Sequence, residues 1–154
     1  MRLEQKTAKA LILRHKTISI AESCTGGLLT HRLTNISGSS KFLMATIVSY
    51  SNAAKMKLLQ VPSSLLEKHG AVSAPVVKHM AQGVRRILNT DFAVSITGIA
   101  GPTGGTAAKP VGLVFIAACN RRKVVVQKNI FKGTRLQVKN QSVEHALALL
   151  EKLL

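Results

Sequence analysis

The sequence predicts an α/β protein, a three-layer α/β/α sandwich around a mixed sheet, and three observations predict it. Short runs rich in β-branched residues alternate with segments of helical apolar spacing, as where Thr17 to Ala21 gives way to Leu28, Leu29, Arg32 and Leu33; this is the pattern of strands joined by crossover helices. The runs Val111 to Cys119 and Lys123 to Ile130, around Asn120-Arg121-Arg122, read as an antiparallel hairpin, which makes the sheet mixed. A chain of 154 residues with 46% apolar content buries about two-thirds of its unfolded surface, enough for one domain spanning residues 1–154 without staples.

Taken in order, Leu3 to His15 reads as a helix with Leu3, Ala8, Leu11 and Ile12 along one side. The strand Thr17 to Ala21 follows, then a short turn, then the helix begun by Gly26 and Gly27. Asn35 to Ser40 is a Ser/Gly turn, and Phe42 to Tyr50 a second strand. Ser51 or Asn52 caps a short helix with Lys55 in its first or second turn, ended by Val61-Pro62. Ser63 to His69 gives another, closed by Gly70. Ser73 and Pro75 open a helix whose core stripe is Val76, Met80, Val84, Ile87 and Leu88. Phe92 to Ile96 is a strand, and Thr97 to Pro110, with four glycines and two prolines, is too long for a mere connector. After the hairpin, Gly133 or Thr134 starts a final helix with the stripe Leu136, Val143, Leu147, Leu150 and Leu154.

Composition narrows the function. Cys24 and Cys119 form no framework and the five histidines are scattered, so a reduced, cytoplasmic setting without structural metal or cofactor is expected. The longest apolar run, Val111 to Cys119, falls far short of the roughly 20 residues of a membrane span. Against six acids stand 22 Lys and Arg, for a net charge of +16, and Phe92 to Val143 holds no acid. Such a balance suits anionic small molecules and permits nucleic acid, but one Tyr and no Trp leave few platforms for stacking bases, so a dedicated nucleic-acid module is not expected.

The chemistry concentrates at Ser23, Cys24 and Thr25, consecutive at the carboxyl end of a strand. There the next helix aims its first N–H groups at whatever binds, and a binding crevice forms in open α/β sheets. Ser23 resembles a nucleophile elbow in its physics, without the G-x-S-x-G signature; equally, Ser23 or Thr25 could simply cap the following helix. No histidine has a local tie to Ser23. A desolvated lysine is the natural alternative base, and Lys55 follows a strand end, although a surface lysine is its ordinary reading. Tyr50 could relay a proton or serve as packing. The loop from Thr97 through Gly98, Gly101, Gly104 and Gly105 offers unobstructed backbone N–H groups, which suits anions.

Together, the stretches Ala21 to Gly27, Val48 to Asn52, Ala54-Lys55, His69 to Ser73, Thr97 to Pro102 with Gly104-Gly105, and Lys109 to Gly112 resemble the CinA carboxy-terminal family, whose characterised enzymes are nicotinamide-nucleotide amidases of the PncC type. The resemblance runs from about Leu3 to Leu150 and is to the stand-alone form, without a preceding pyrophosphatase-type domain. It implies metal-free hydrolysis of the carboxamide of nicotinamide mononucleotide to nicotinic acid mononucleotide and ammonia. Ser23 would be the nucleophile, Lys55 the general base and Tyr50 a supporting hydroxyl. Cys24, Thr25, Gly26, Gly27, Thr97, Gly98, Gly101, Gly104 and Gly105 would line the pocket, with Arg135 and Lys139 facing the phosphate. It also implies a homo-oligomer. The chain departs from the family pattern at Thr134, where an acid is usual, and at Lys139, where arginine is often found and where an ammonium cannot reproduce a bidentate grip. The alternative is a nucleotide-binding, competence-associated regulatory protein that keeps the pocket without turnover.

Overall fold

The computed structural model describes residues 1–154. Its elements are α1 (Leu3–Leu13), β1 (Ile18–Glu22), α2 (Leu28–Thr34), β2 (Leu43–Val48), α3 (Asn52–Leu59), α4 (Ser63–His69), α5 (Ala74–Leu88), β3 (Phe92–Gly98), β4 (Leu113–Cys119), β5 (Val124–Ile130) and α6 (Arg135–Glu151). One five-stranded sheet has the order β2-β1-β3-β4-β5. The first three strands are parallel and the last two form the antiparallel hairpin, so the sheet is mixed and the expected three-layer α/β/α fold is observed.

Strand alternation sorts the core into two halves. Ile18, Ile20, Val94, Ile96, Val114, Ile116 and Ala118 face α1, α2 and α6, whereas Ala21, Ala93, Ala117 and Cys119 face the layer of α3, α4 and α5. Small residues on the second face let α5 approach closely, and Ser95 there donates to the carbonyl of Val77 at 2.6 Å. Because both faces of β1 and β3 are covered, these strands are buried almost throughout.

The boundaries follow local chemistry. Ser51 caps α3, its Oγ accepting from the Ala54 amide at 3.0 Å. Thr134 and Gln137 form a reciprocal capping box at the start of α6. Helix α1 stops at Leu13 rather than His15, which takes a positive φ of 51°. Two residues read as core stripe are exposed: Ile87 sits in the last turn of α5 and Leu136 in the first turn of α6, each beyond the reach of the sheet. Tyr50 lies past the end of β2 and is 62% exposed, so it is not strand packing.

The connections leaving β1 and β2 depart to opposite faces, through α2 and α3. Their carboxyl ends are neighbours, Glu22 pairing with Val48 in register, and the divergence opens a crevice there.

Gly83 marks where α5 meets the end of α3: a Cβ at that position would overlap the carbonyl of Leu59. Glycine to alanine in a helix interior ordinarily stabilises by about 0.5–1 kcal/mol. Here Gly83→Ala is expected to destabilise by about 1–3 kcal/mol, read as a lower urea midpoint with unchanged slope, because it overpacks backbone against backbone.

Candidate functional site

The period of two at the end of β1 divides two adjacent side chains between the layers. Glu22, fully buried, turns toward α2, where its carboxylate accepts from the amides of Gly27 (3.1 Å), Leu29 (3.2 Å) and Thr30 (3.0 Å) and from the Thr30 hydroxyl (2.9 Å). These are the free N–H groups of a helix start, and the N-cap residue, Gly27, has no side chain to serve them. Thus neither Ser23 nor Thr25 caps the helix; Glu22 does. Sequence reasoning gave Glu22 no role. The signal in the sequence is a carboxylate at a strand end, five residues before the N-cap glycine of the next helix.

Ser23 turns the other way, toward α3. Its amide continues the sheet by donating to the Ile96 carbonyl at 3.1 Å, which holds its backbone against β3. Lys55, at the fourth position of α3, reaches back beneath the strand ends and is 1% exposed. Its Nζ lies 2.9 Å from Ser23 Oγ, 2.7 Å from the Ser49 carbonyl and 3.5 Å from the Tyr50 carbonyl. Ser23 itself is 8% exposed.

Burial lowers the pKa of the Lys55 ammonium below 10.5, with Cys24 opposing weakly. Around Nζ stand two backbone carbonyls and the Ser23 hydroxyl, with no carboxylate to hold the ammonium. Burial pushes the Cys24 thiol up to about 11, which keeps it in its protonated, weakly nucleophilic form. The amides of Cys24 and Thr25 donate to no protein acceptor, while that of Gly26 is spent on the Ser23 carbonyl. Thr25 Oγ1 and Ser49 Oγ are buried without a protein partner.

The rim is cationic. Arg135 donates to the Gly101 carbonyl at 2.7 Å and to the Tyr50 hydroxyl at 3.1 Å, bridging the glycine loop and the β2–α3 link. Lys139, one helical turn on, brings its Nζ over Gly26, at 3.8 Å from where a Cβ would stand. The remaining loop residues are placed differently from one another. Thr97 is buried and donates to the Ala71 carbonyl at 3.0 Å, away from the rim, and Gly98 packs tightly against Leu113 and Val114. Gly101 reaches the rim with a carbonyl rather than an amide. Gly104 and Gly105 are exposed, Gly105 lying against the Val111 backbone. No group of three or more His, Cys, Asp or Glu side chains is arranged to hold a metal ion.

The CinA C-terminal domain family model matches residues 1–154. A putative competence-damage inducible protein from Moorella thermoacetica is 50% identical over 148 residues, covering 96% of this chain and 36% of its own length. A CinA-like protein from Syntrophus aciditrophicus is 51% identical, covering 99% of this chain and 36% of its own. The chain therefore spans about a third of the length of these curated relatives. Among solved structures, the competence/damage inducible protein CihA from Agrobacterium tumefaciens superposes with a TM-score of 0.96 at 38% identity, over 98% of this chain and 93% of that one. A CinA superfamily protein from Escherichia coli gives a TM-score of 0.94 at 35% identity, over 99% and 88%.

A thiol moved from 9.0 to about 11 keeps about one-hundredth of its thiolate at neutral pH. Cys24 and Cys119 should therefore alkylate with iodoacetamide at least about 100-fold more slowly in the folded protein at pH 7.5 than in urea, measured by mass shift; rapid labelling of native Cys24 would contradict the burial described.

Proposed function

Because the chain belongs to the CinA C-terminal domain family, we propose that it is an amidohydrolase whose Ser23 is activated by Lys55, with a pyridine mononucleotide carboxamide, nicotinamide mononucleotide, as substrate. The observation that carries this reading is the 2.9 Å approach of Lys55 Nζ to Ser23 Oγ in a setting where burial favours the neutral amine.

In the proposed reaction, Lys55 accepts the Ser23 proton as Oγ attacks the carboxamide carbon. The Cys24 and Thr25 amides hold the developing oxyanion, each donor contributing about 2.7–4 kcal/mol in comparable sites. The ammonium of Lys55 then returns the proton to the departing nitrogen, the C–N bond breaks and ammonia leaves an acyl ester on Ser23. Water, deprotonated by Lys55, cleaves that ester to the carboxylic acid and restores the serine. Tyr50, oriented by Arg135, supports the rim, and Arg135 and Lys139 offer opposite charge to a phosphate.

A second reading has its own support. Several relatives are named as competence-damage inducible proteins, and the same pocket could bind a nucleotide without turnover as part of a regulatory protein.

An ammonia-release assay on nicotinamide mononucleotide separates the two. Under the first reading, Ser23→Ala and Lys55→Ala each lower kcat/KM by at least about 10³-fold; calorimetric binding by the unmutated protein with no ammonia released supports the second. The pH profile gives a further check. The base must be neutral, and its pKa lies below 10.5, so kcat/KM should rise with pH as Lys55 loses its proton and then level off. Undiminished activity in acid would contradict the assignment. Lys139→Ala should raise KM for the mononucleotide by about 10-fold and leave the unphosphorylated nucleoside unaffected.

A further inference from the structure

The +16 charge gathers in part at the end of the molecule opposite Ser23. Three connections meet there, because Ile18 pairs with Phe92 and Ala93 with Cys119: the α1–β1 link, the α5–β3 turn and the β4–β5 turn. They bring together Arg14, Lys16, Arg85, Arg121, Arg122 and Lys123. Lys16 lies 3.1 Å from Asp91, Arg85 donates to the Thr90 carbonyl at 3.3 Å and Arg121 to Asn89 Oδ1 at 3.4 Å. A depression of about 270 Å³ is lined by Lys16, Asp91, Phe92, Asn120, Arg121 and Arg122. The acids nearby are already engaged, Asp91 by Lys16 and Thr17 and Glu151 by Lys6. The remaining five cations have no carboxylate partner. Like charges gathered at one end of a molecule repel one another rather than stabilise the fold.

We propose that this end of the sheet is a docking surface for double-stranded DNA, gripped through its phosphates. From β1 to β5 the surface crosses three strand spacings, about 15 Å, comparable with the roughly 12 Å width of a major groove between its phosphate rows. Four of the six cations are arginines, whose planar forks match phosphate oxygens two at a time. The single aromatic residue lining the depression, Phe92, is buried, so bases have nothing to stack on. The scarcity of aromatics that argues against a single-strand module thus leaves the duplex mode open, which needs phosphate contacts alone. A membrane surface fits less well: the exposed apolar residues at this end, Leu13 and Ile87, stand singly on opposite helical layers and form no face to insert.

The test is fluorescence anisotropy with a labelled DNA duplex of about 20 base pairs, repeated from 50 to 200 mM salt. The proposal predicts binding with a log–log salt slope of about −3 to −5, four or five phosphates being neutralised. R121E/R122E/K123E, confined to an exposed turn, should weaken binding at least about 30-fold, and Arg122→Ala about 3- to 5-fold. K68E/K78E/K128E changes the net charge equally on other exposed faces and should weaken it less than about 3-fold. Equal losses in the two triple variants would overturn the proposal by showing that only total charge matters. So would absence of duplex binding at 50 mM salt, or tighter binding to vesicles of anionic phospholipid than to the duplex.

Discussion

A primary amine sealed from water without a carboxylate partner is driven toward its neutral form, and the Ser23 site is built on that constraint. Lys55 forms no ion pair, and Glu22, the carboxylate next to Ser23 in sequence, faces the other helical layer. The amine is instead enclosed by the Ser49 and Tyr50 carbonyls and the Ser23 hydroxyl. Those carbonyls orient it but supply no full counter-charge, so desolvation outweighs them and the proton is held less tightly than in water. Of the three groups around the amine, only the Ser23 hydroxyl carries a proton of its own, and the proposed reaction draws on that proton.

What keeps the pair aligned is the division at residues 22 and 23. One residue of extended chain separates a carboxylate that secures α2 from a hydroxyl that meets α3, so the turn carrying the serine is held from both layers at once. The Ile96 carbonyl fixes it from the third side. The positions of Tyr50, Arg135 and Lys139 follow from the same frame: the first leaves the neighbouring strand, and the other two project from the start of α6 over the turn. The rim cations Arg135 and Lys139 and the cluster around Lys16, Arg121 and Arg122 stand at opposite ends of the sheet, apart from the buried pair.

Much of this was legible from local pattern. The alternation in Thr17 to Ala21, the hairpin around Asn120 and the caps at Ser51 and Thr134 depend on neighbours close in sequence, and each appears near its expected place. What escaped depends on partners distant in the chain. Ile87 and Leu136 continue a helical stripe but lie past the ground covered by the sheet. Thr97, predicted at the opening of a loop, is the penultimate residue of β3, and its hydroxyl is taken by Ala71, a residue from another layer. Glu22 reads in the sequence as part of a motif rather than as a helix cap, because the N–H groups that donate to it lie across a glycine turn whose shape no periodicity encodes. Motif order brought Ser23 and Lys55 to attention; that their side chains meet is a property of the folded chain.

The most direct measurement is the titration of Lys55 itself, followed through its side-chain Cε and Hε resonances by NMR in protein labelled at lysine. The account predicts a midpoint clearly below 10.5, and a perturbation of the Lys55 signals in Ser23→Ala while the exposed lysines stay unchanged. A Lys55 that titrates with the surface lysines and ignores the loss of the Ser23 hydroxyl would contradict it.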